Sequence, residues 1–199
     1  MEQIRAFIAI ELPPELKLEI DRLQSQLKSG AASPVKWVDP GSIHLTLKFL
    51  GNIASNKIGE ITKAMEDAAR TIPPFHLEVK GLGAFPNLKR VQVVWAGLKG
   101  DIDKLNQLQQ RLESNLRDSG FTPETRAFTS HLTLARVRDQ ASLDERQRLG
   151  QLIADTGFEA VHAIEVDAVS LMKSQLTREG AIYSRLALAK LNPLPTATA

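Results

Sequence analysis

No cysteine occurs in the 199 residues. Disulfide staples, thiolate metal sites and a cysteine nucleophile are therefore excluded, and a reducing cytoplasm is the expected location. No apolar run approaches the ~18 residues that a membrane helix requires, so no membrane association is expected. The start, Met1-Glu2-Gln3-Ile4-Arg5-Ala6-Phe7, has no basic leader ahead of an apolar stretch, and no signal peptide is expected. An excess of charge is missing too: 25 Lys and Arg stand against 23 Asp and Glu, a formal +2. That is too little for a broad nucleic-acid-binding surface, but it leaves room for a small basic pocket holding a few phosphates. No Pro-, Gly- or Ser-rich linker divides the chain, so one domain is expected.

What is present reads as an ordinary globular protein, 43% hydrophobic and 24% charged. Residues 3–11 alternate as a strand. Pro13-Pro14 opens a helix whose Leu16, Ile20, Leu23 and Leu27 recur at helical spacing, with Gly30 at its end. Strands near 35–38 and 43–50 follow. Ser55 is placed to cap a second helix with Ile58, Ile61, Met65 and Ala68 on one face. Pro73-Pro74 stops that helix, and Phe75 to Leu82 is the next strand. The second half repeats the plan. A strand at Arg90–Ala96 precedes a helix over 101–119, striped by Ile102, Leu105, Leu108, Leu112 and Leu116 and closed by Gly120. A strand containing His131 follows, then a capping-box helix opening at Ser142-Leu143-Asp144-Glu145. Strands at about 158–172 and 181–190 complete the chain.

The expected fold is α+β: a single bilobal domain over 1–191, built of two similar halves at about 1–88 and 89–191. Each pseudo-symmetric lobe would be an antiparallel sheet with two helices, and a groove would lie between them. Residues 192–199 are expected to form a flexible tail.

Inside this plan His44-Leu45-Thr46-Leu47 recurs as His131-Leu132-Thr133-Leu134, 87 residues later. Strand side chains alternate between faces, so each His-Thr pair points one way and its leucines the other. The leucines can anchor each strand in a core while the polar pairs converge on one cleft. Histidine, with an unperturbed pKa of ~6.5, gives or takes a proton near neutrality. Two of them on opposite sides of a phosphorus can divide that labour, one drawing a proton from an attacking water, the other protonating the departing oxygen. Threonine hydroxyls can hold non-bridging phosphate oxygens, and an arginine fork can meet the developing negative charge. Arg136 lies five residues past His131, with Arg126 and Arg138 flanking the same strand. By parity Lys48 shares the polar face of His44 and Thr46. This chemistry requires no metal or cofactor, and none is expected.

At these residues the chain resembles the 2H phosphoesterase superfamily, which is named for two His-x-Thr/Ser-x motifs. Within it the chain is similar to the RNA 2′,3′-cyclic phosphodiesterases, historically called 2′–5′ RNA ligases. The likeness runs through Arg5-Ala6-Phe7-Ile8-Ala9-Ile10, Trp37-Val38, His44 to Gly51, Gly83-Ala84-Phe85-Pro86, Arg90-Val91, Trp95, Phe128 to Arg136 and Ser184-Arg185-Leu186. It implies metal-independent hydrolysis of a terminal RNA 2′,3′-cyclic phosphate to a 2′-phosphate, with reversible 2′–5′ joining in some members. It also implies His44 as general acid, His131 as general base, and Thr46, Thr133 and Arg136 as phosphate-binding residues. The residues alone do not distinguish acid from base. A non-catalytic module that binds nucleotides or RNA ends is the alternative. The expected partners are RNA ends or small cyclic-phosphate nucleotides, with no obligatory protein partner and nothing that demands more than a monomer.

The other candidates carry weaker expectations. His76 alternates with Glu78 and Lys80 and reads as solvated, while His162 shares parity with Ile164 and Val166 and reads as buried or at a sheet edge. Neither is followed by threonine two residues on. A zinc site at His44 and His131 would need a third ligand that no His-Glu helical motif supplies. Trp37, Phe85 and Tyr183 are candidates for base stacking as well as for the core. Arg90 is placed equally well for the groove or for open solvent.

Overall fold

The computed structural model describes residues 2–31, 34–177 and 180–192. Most of the expected tail, 193–199, lies outside the described residues. Nine strands and four helices are present among those described: β1 Gln3–Glu11, α1 Pro14–Gly30, β2 Val35–Trp37, β3 His44–Ala54, α2 Ile58–Ala69, β4 Phe75–Phe85, β5 Val93–Gly100, α3 Ile102–Asp118, β6 His131–Val137, α4 Leu143–Asp155, β7 Ile164–Val166, β8 Ala168–Leu176 and β9 Ala181–Lys190. No described helix is long and apolar enough to cross a membrane.

Local chemistry explains most boundaries. Pro14 occupies the first turn of α1, where its missing N–H costs nothing. Ser142 and Glu145 form the reciprocal capping box that opens α4. Gly120 follows α3 at φ +87°, a left-handed conformation that an L side chain rarely adopts. At α2 the expectation is off by a turn. Ser55–Lys57 winds as a 3-10 turn, and the α-helix starts at Ile58 without a side-chain cap. The strand expected at 158–172 is two strands, β7 and β8, preceded by an isolated bridge from Glu159 to Lys80.

The strands form two antiparallel sheets, one in the order β3-β1-β8-β9 and the other in the order β2-β6-β5-β4-β7. Helices α2 and α3 cover the first sheet; α1 and α4 lie on the second. The α+β class and the pairing of each sheet with two helices are as expected. The division at residue 88 separates the two motif copies but not the two lobes. From the first half, α1, β2 and β4 join the second sheet's lobe; from the second half, α3, β8 and β9 join the first sheet's. Alternation in a strand specifies which face is buried, not which neighbour it pairs with, so this exchange has no sequence signature.

The helix-covered faces close one continuous core. Ile4, Ala6, Ile8 and Ile10 of β1 line it, as do the stripes Leu16, Ile20, Leu23 and Leu27 of α1 and Leu105, Leu108, Leu112 and Leu116 of α3. Each buried aliphatic side chain contributes about 1.5–3 kcal/mol relative to exposure. A second, small cluster of Phe7, Ala9 and Met172, with Tyr183 against it, lies on the opposite face of the first sheet.

Candidate active site

The two motif strands lie at the seam between the sheets. β3 is an edge strand of its sheet, and its Cα atoms come within 8 Å of those of β6. All four motif leucines, Leu45, Leu47, Leu132 and Leu134, are buried in the core, whereas His44, Thr46, His131 and Thr133 are half-buried on the other face. The alternation expected from the sequence therefore holds through each motif.

Immediately after each threonine it stops holding. Ala9 pairs with Thr46 but Ile8 pairs with Lys48, so Leu47 is an extra residue in β3. Trp95 pairs with Thr133 but Val94 pairs with Ala135, so Leu134 is an extra residue in β6. Both copies thus contain a β-bulge at the same place, and a bulge reverses the parity of the residues after it, in β3 until a second extra residue at Leu50 restores it. Two consequences follow. Lys48 does not share the polar face of His44: it turns into the core, 3% exposed, and its Nζ reaches Glu113 of α3 at 2.7 Å and the Thr122 carbonyl at 3.1 Å. Arg136, whose odd spacing from His131 would otherwise point it inward, comes out exposed on the face of His131 and Thr133. The equivalent position in β3 is Phe49, 61% exposed and beside Phe7.

The second bulge is secured by a residue that the hydrophobic stripe concealed. Gln24 of α1 is fully buried, and its Nε2 donates to the carbonyls of Val38, at 2.8 Å, and Leu134, at 3.0 Å. The Val38 N–H donates to the same Leu134 oxygen. The signal for this role was a single polar residue within an otherwise apolar helix face.

Each histidine is oriented in the same way. His44 Nδ1 lies 2.8 Å from the Ser42 carbonyl and His131 Nδ1 lies 2.7 Å from the Thr129 carbonyl. A carbonyl can only accept, so Nδ1 carries the hydrogen in both rings and Nε2 is the nitrogen left for proton transfer. Their surroundings differ. His44 stacks on Phe7 with ring centroids 4.5 Å apart and meets the edge of Tyr183 at 5.1 Å. Burial among these rings disfavours the imidazolium and holds the His44 pKa below the ordinary histidine value, with Lys17 adding to the effect and Glu11 opposing it. His131 meets the edge of Phe85 at 5.0 Å. Beside His44, Glu11 accepts from Arg185 Nε at 2.8 Å and from Ser170 Oγ, and the Arg185 hydrogen bond keeps the Glu11 carboxyl below its usual range.

The remaining candidates separate clearly. Phe85 and Tyr183 both touch a motif histidine. Trp37 is turned the other way, against the core, with Lys28 over its ring at 5.7 Å. Arg90 is exposed in the turn ahead of β5 rather than in a strand, and Arg126 and Arg138 are exposed on either side of β6. His76 is solvated as expected and pairs with Glu165 at 2.9 Å. His162 is not buried: Val161 and His162 lie outside β7 in an exposed segment, and the imidazole pairs with Glu19 of α1.

Comparison with known proteins places this arrangement among related ones. The family model described as LigT-like phosphoesterase matches twice in tandem, over residues 10–95 and 98–183. The chain is 35% identical over 189 residues, 95% of its own length and 100% of the relative's, to a protein of Methanothermobacter thermautotrophicus named RNA 2′,3′-cyclic phosphodiesterase. The crystal structure of Escherichia coli LigT complexed with 3′-AMP is similar at a TM-score of 0.76 and 25% identity, covering 96% of this chain and 99% of that one. A protein of Thermus thermophilus, 23% identical with a TM-score of 0.76, shares the fold over 96% of this chain and 99% of its own.

Proposed function

The chain belongs to the LigT-like phosphoesterases, and from that membership we propose that it hydrolyses a terminal RNA 2′,3′-cyclic phosphate to a 2′-phosphomonoester, with His44 and His131 acting on one phosphorus. The observation that carries this reading is the doubled motif, which presents two imidazoles by their Nε2 atoms from two adjoining strands.

The groups in hand account for each atom that moves. Neutral His131 takes a proton from water at Nε2 as the water oxygen bonds to phosphorus. The bond from phosphorus to O3′ breaks on the opposite side, and protonated His44 gives its Nε2 proton to O3′. Thr46 and Thr133 hold the non-bridging oxygens, and Arg136, exposed on the face of His131, meets the growing negative charge. Burial leaves His44 mostly neutral near pH 7 in the free protein. A phosphate anion placed beside Nε2 favours the protonated form, so substrate binding itself loads the acid.

The test is an oligoribonucleotide ending in a 2′,3′-cyclic phosphate, incubated with the protein in EDTA. Release of a 2′-phosphomonoester is expected. A folded protein that yields no monoester removes the proposal in favour of a nucleotide-binding module, and a 3′-phosphate product would reverse the orientation of the ribose.

A further inference from the structure

The face of the first sheet that carries His44 is mostly apolar: Phe7 and Ala9 of β1, Met172 of β8 and Tyr183 of β9 meet on it. A row of polar residues interrupts it. Directly opposed residues of neighbouring strands point to the same side of a sheet, with Cβ atoms about 4.5–5.5 Å apart. Glu11 of β1 directly opposes His44 of β3, so its side chain rises beside the imidazole. Ser170 opposes Ala9, and Arg185 opposes Met172, which puts both on the same face. The row His44, Glu11, Ser170, Arg185 thus crosses all four strands.

The middle of the row is fixed. Arg185 lays its fork along the Glu11 carboxylate, Nε to Oε1 at 2.8 Å and Nη2 to Oε2 at 3.1 Å, and Ser170 Oγ donates to Oε1 as well. Ser170 is buried, so an enclosed hydroxyl is committed to a carboxylate that stands partly in solvent. An ion pair as exposed as this one, 38% at Glu11 and 50% at Arg185, adds little to stability. What it does add is a negative charge held at one place on an apolar wall. Around the His44 ring that charge has no equal. Lys17 of α1 donates to the Gly41 carbonyl and acts on the ring as a cation. Asp39 turns its Oδ1 to the Gly41 N–H, Tyr183 offers a ring edge, and β6 across the seam brings His131 and Arg136. The ring's Nδ1 is already occupied by the Ser42 carbonyl, so Glu11 acts on it through space.

We propose that Glu11, held by Arg185 and Ser170, is the positioning residue of the first motif: its fixed charge stabilises the imidazolium that His44 must become before it can protonate O3′. The inference rests on the reading above, in which His44 is the acid. Burial among Phe7 and Tyr183 takes water from the ring and disfavours its charge, and the carboxylate opposes that effect. Glu11 itself neither gives nor takes a proton. The Arg185 guanidinium cancels part of the Glu11 charge, so the two partners of one ion pair pull His44 in opposite directions.

That opposition is the test. In Glu11→Gln, Arg185 and Lys17 face the ring without an anion, and the His44 ring protons should titrate at lower pH than in the wild type. In Arg185→Met the carboxylate faces the ring uncompensated, and they should titrate at higher pH. A merely structural ion pair would move both variants the same way when broken. The rate follows the charge. Near pH 7, Glu11→Gln should lower kcat/KM for a 2′,3′-cyclic mononucleotide about tenfold, the scale on which one opposite charge at this range biases a proton equilibrium. With sulfur in place of O3′, whose departure needs no proton, the same variant should match the wild type. His44 titrations that stay put or shift together, or an equal loss on both substrates, overturn the role of Glu11. Titrations that shift apart in a wild type and variants that hydrolyse neither substrate would instead sink the phosphodiesterase reading and leave Glu11 as the residue that sets the charge on His44.

Discussion

His44 and His131 occupy equivalent places in strands with the same four residues, the same bulge after the threonine and the same hydrogen bond to a carbonyl two residues back. Around that shared frame nearly everything differs. The first ring is packed among Phe7 and Tyr183; the second meets Phe85 edge-on. Past the bulge, the open face carries an exposed Phe49 in one strand and Arg136 in the other. On the core side, Lys48 of the first strand takes the place of Ala135 in the second. On the proposed mechanism the repeated part aims a proton-transfer group, and the unlike parts, an apolar wall on one side of the seam and a cation on the other, divide the duties of the two histidines.

If the two histidines have opposite duties, the sharpest way to separate them is chemical. His44→Ala and His131→Ala should each lower kcat by ~10²–10⁴, the usual scale for a general acid or base. A cyclic substrate with sulfur in place of O3′ carries a leaving group that needs no proton. It should restore most of the loss in His44→Ala and little in His131→Ala; equal restoration would show that the duties are not divided in this way. The next largest contrast lies past the bulges. Arg136→Ala should reduce kcat/KM by ~10²–10³, as expected for one lost donor to a developing oxyanion. Phe49→Ala, at the matching position, should change KM by no more than about tenfold, the scale of one stacking contact. Comparable losses in kcat from both would make the two faces functionally alike.

The motifs, the buried leucines and most helix stripes were legible because they repeat at the period of their own element. The bulges were not, because an extra residue in a strand is defined only against its partner. That single feature accounts for one misplacement, that of Lys48, and for the outward position expected of Arg136. It sends Lys48 inward, against parity, and it brings Arg136 outward, again against parity. In retrospect the odd spacing from His131 to Arg136 was itself a clue, since both can face a phosphate only if one residue between them is surplus. The exchange of α1, β2, β4, α3, β8 and β9 between the lobes was illegible for a related reason: patterning fixes a face, not a neighbour. Gln24 was hidden by its apolar surroundings, and His162 by assuming that the strand reached it.

The buried Lys48 offers a comparison in stability rather than rate. Its ammonium is 2% exposed and its partner Glu113 18%, so the pair is largely withdrawn from water. Lys48→Met removes the cation while filling much the same volume; the Glu113 carboxylate loses its counter-charge and keeps only the long bonds from Gln109 Nε2, at 3.3 Å, and the Glu124 N–H, at 3.4 Å, and the Thr122 carbonyl loses the Lys48 donor. Breaking a fully buried pair costs about 3–5 kcal/mol. Residual solvent contact at Glu113 reduces this to about 2 kcal/mol, or a Tm lower by about 4–8 °C for a protein of this size. The Lys48→Met/Glu113→Gln double variant should recover part of the loss, because it removes the stranded charge. A single variant as stable as the wild type would mean that the ion pair adds nothing to holding β3 on α3.

The smallest effect is in pH, and it bears on the apolar wall of the first motif alone. Burial depresses the His44 pKa in the folded protein, whereas in the unfolded chain the ring titrates near ~6.5. The unfolded chain therefore binds more protons than the fold between the two values. His44 contributes its full share of stability above ~6.5, and that share is lost as the pH falls from there through the lower folded value. Tyr183→Ala opens one side of the ring to water, so it should raise the His44 pKa toward the ordinary value and flatten this acid-side loss. Ring-proton chemical shifts of His44 followed against pH, together with denaturant midpoints on either side of about pH 6.5, measure both. An unmoved His44 titration in Tyr183→Ala would mean that the stack on Phe7, not the edge contact with Tyr183, is what keeps water from the ring.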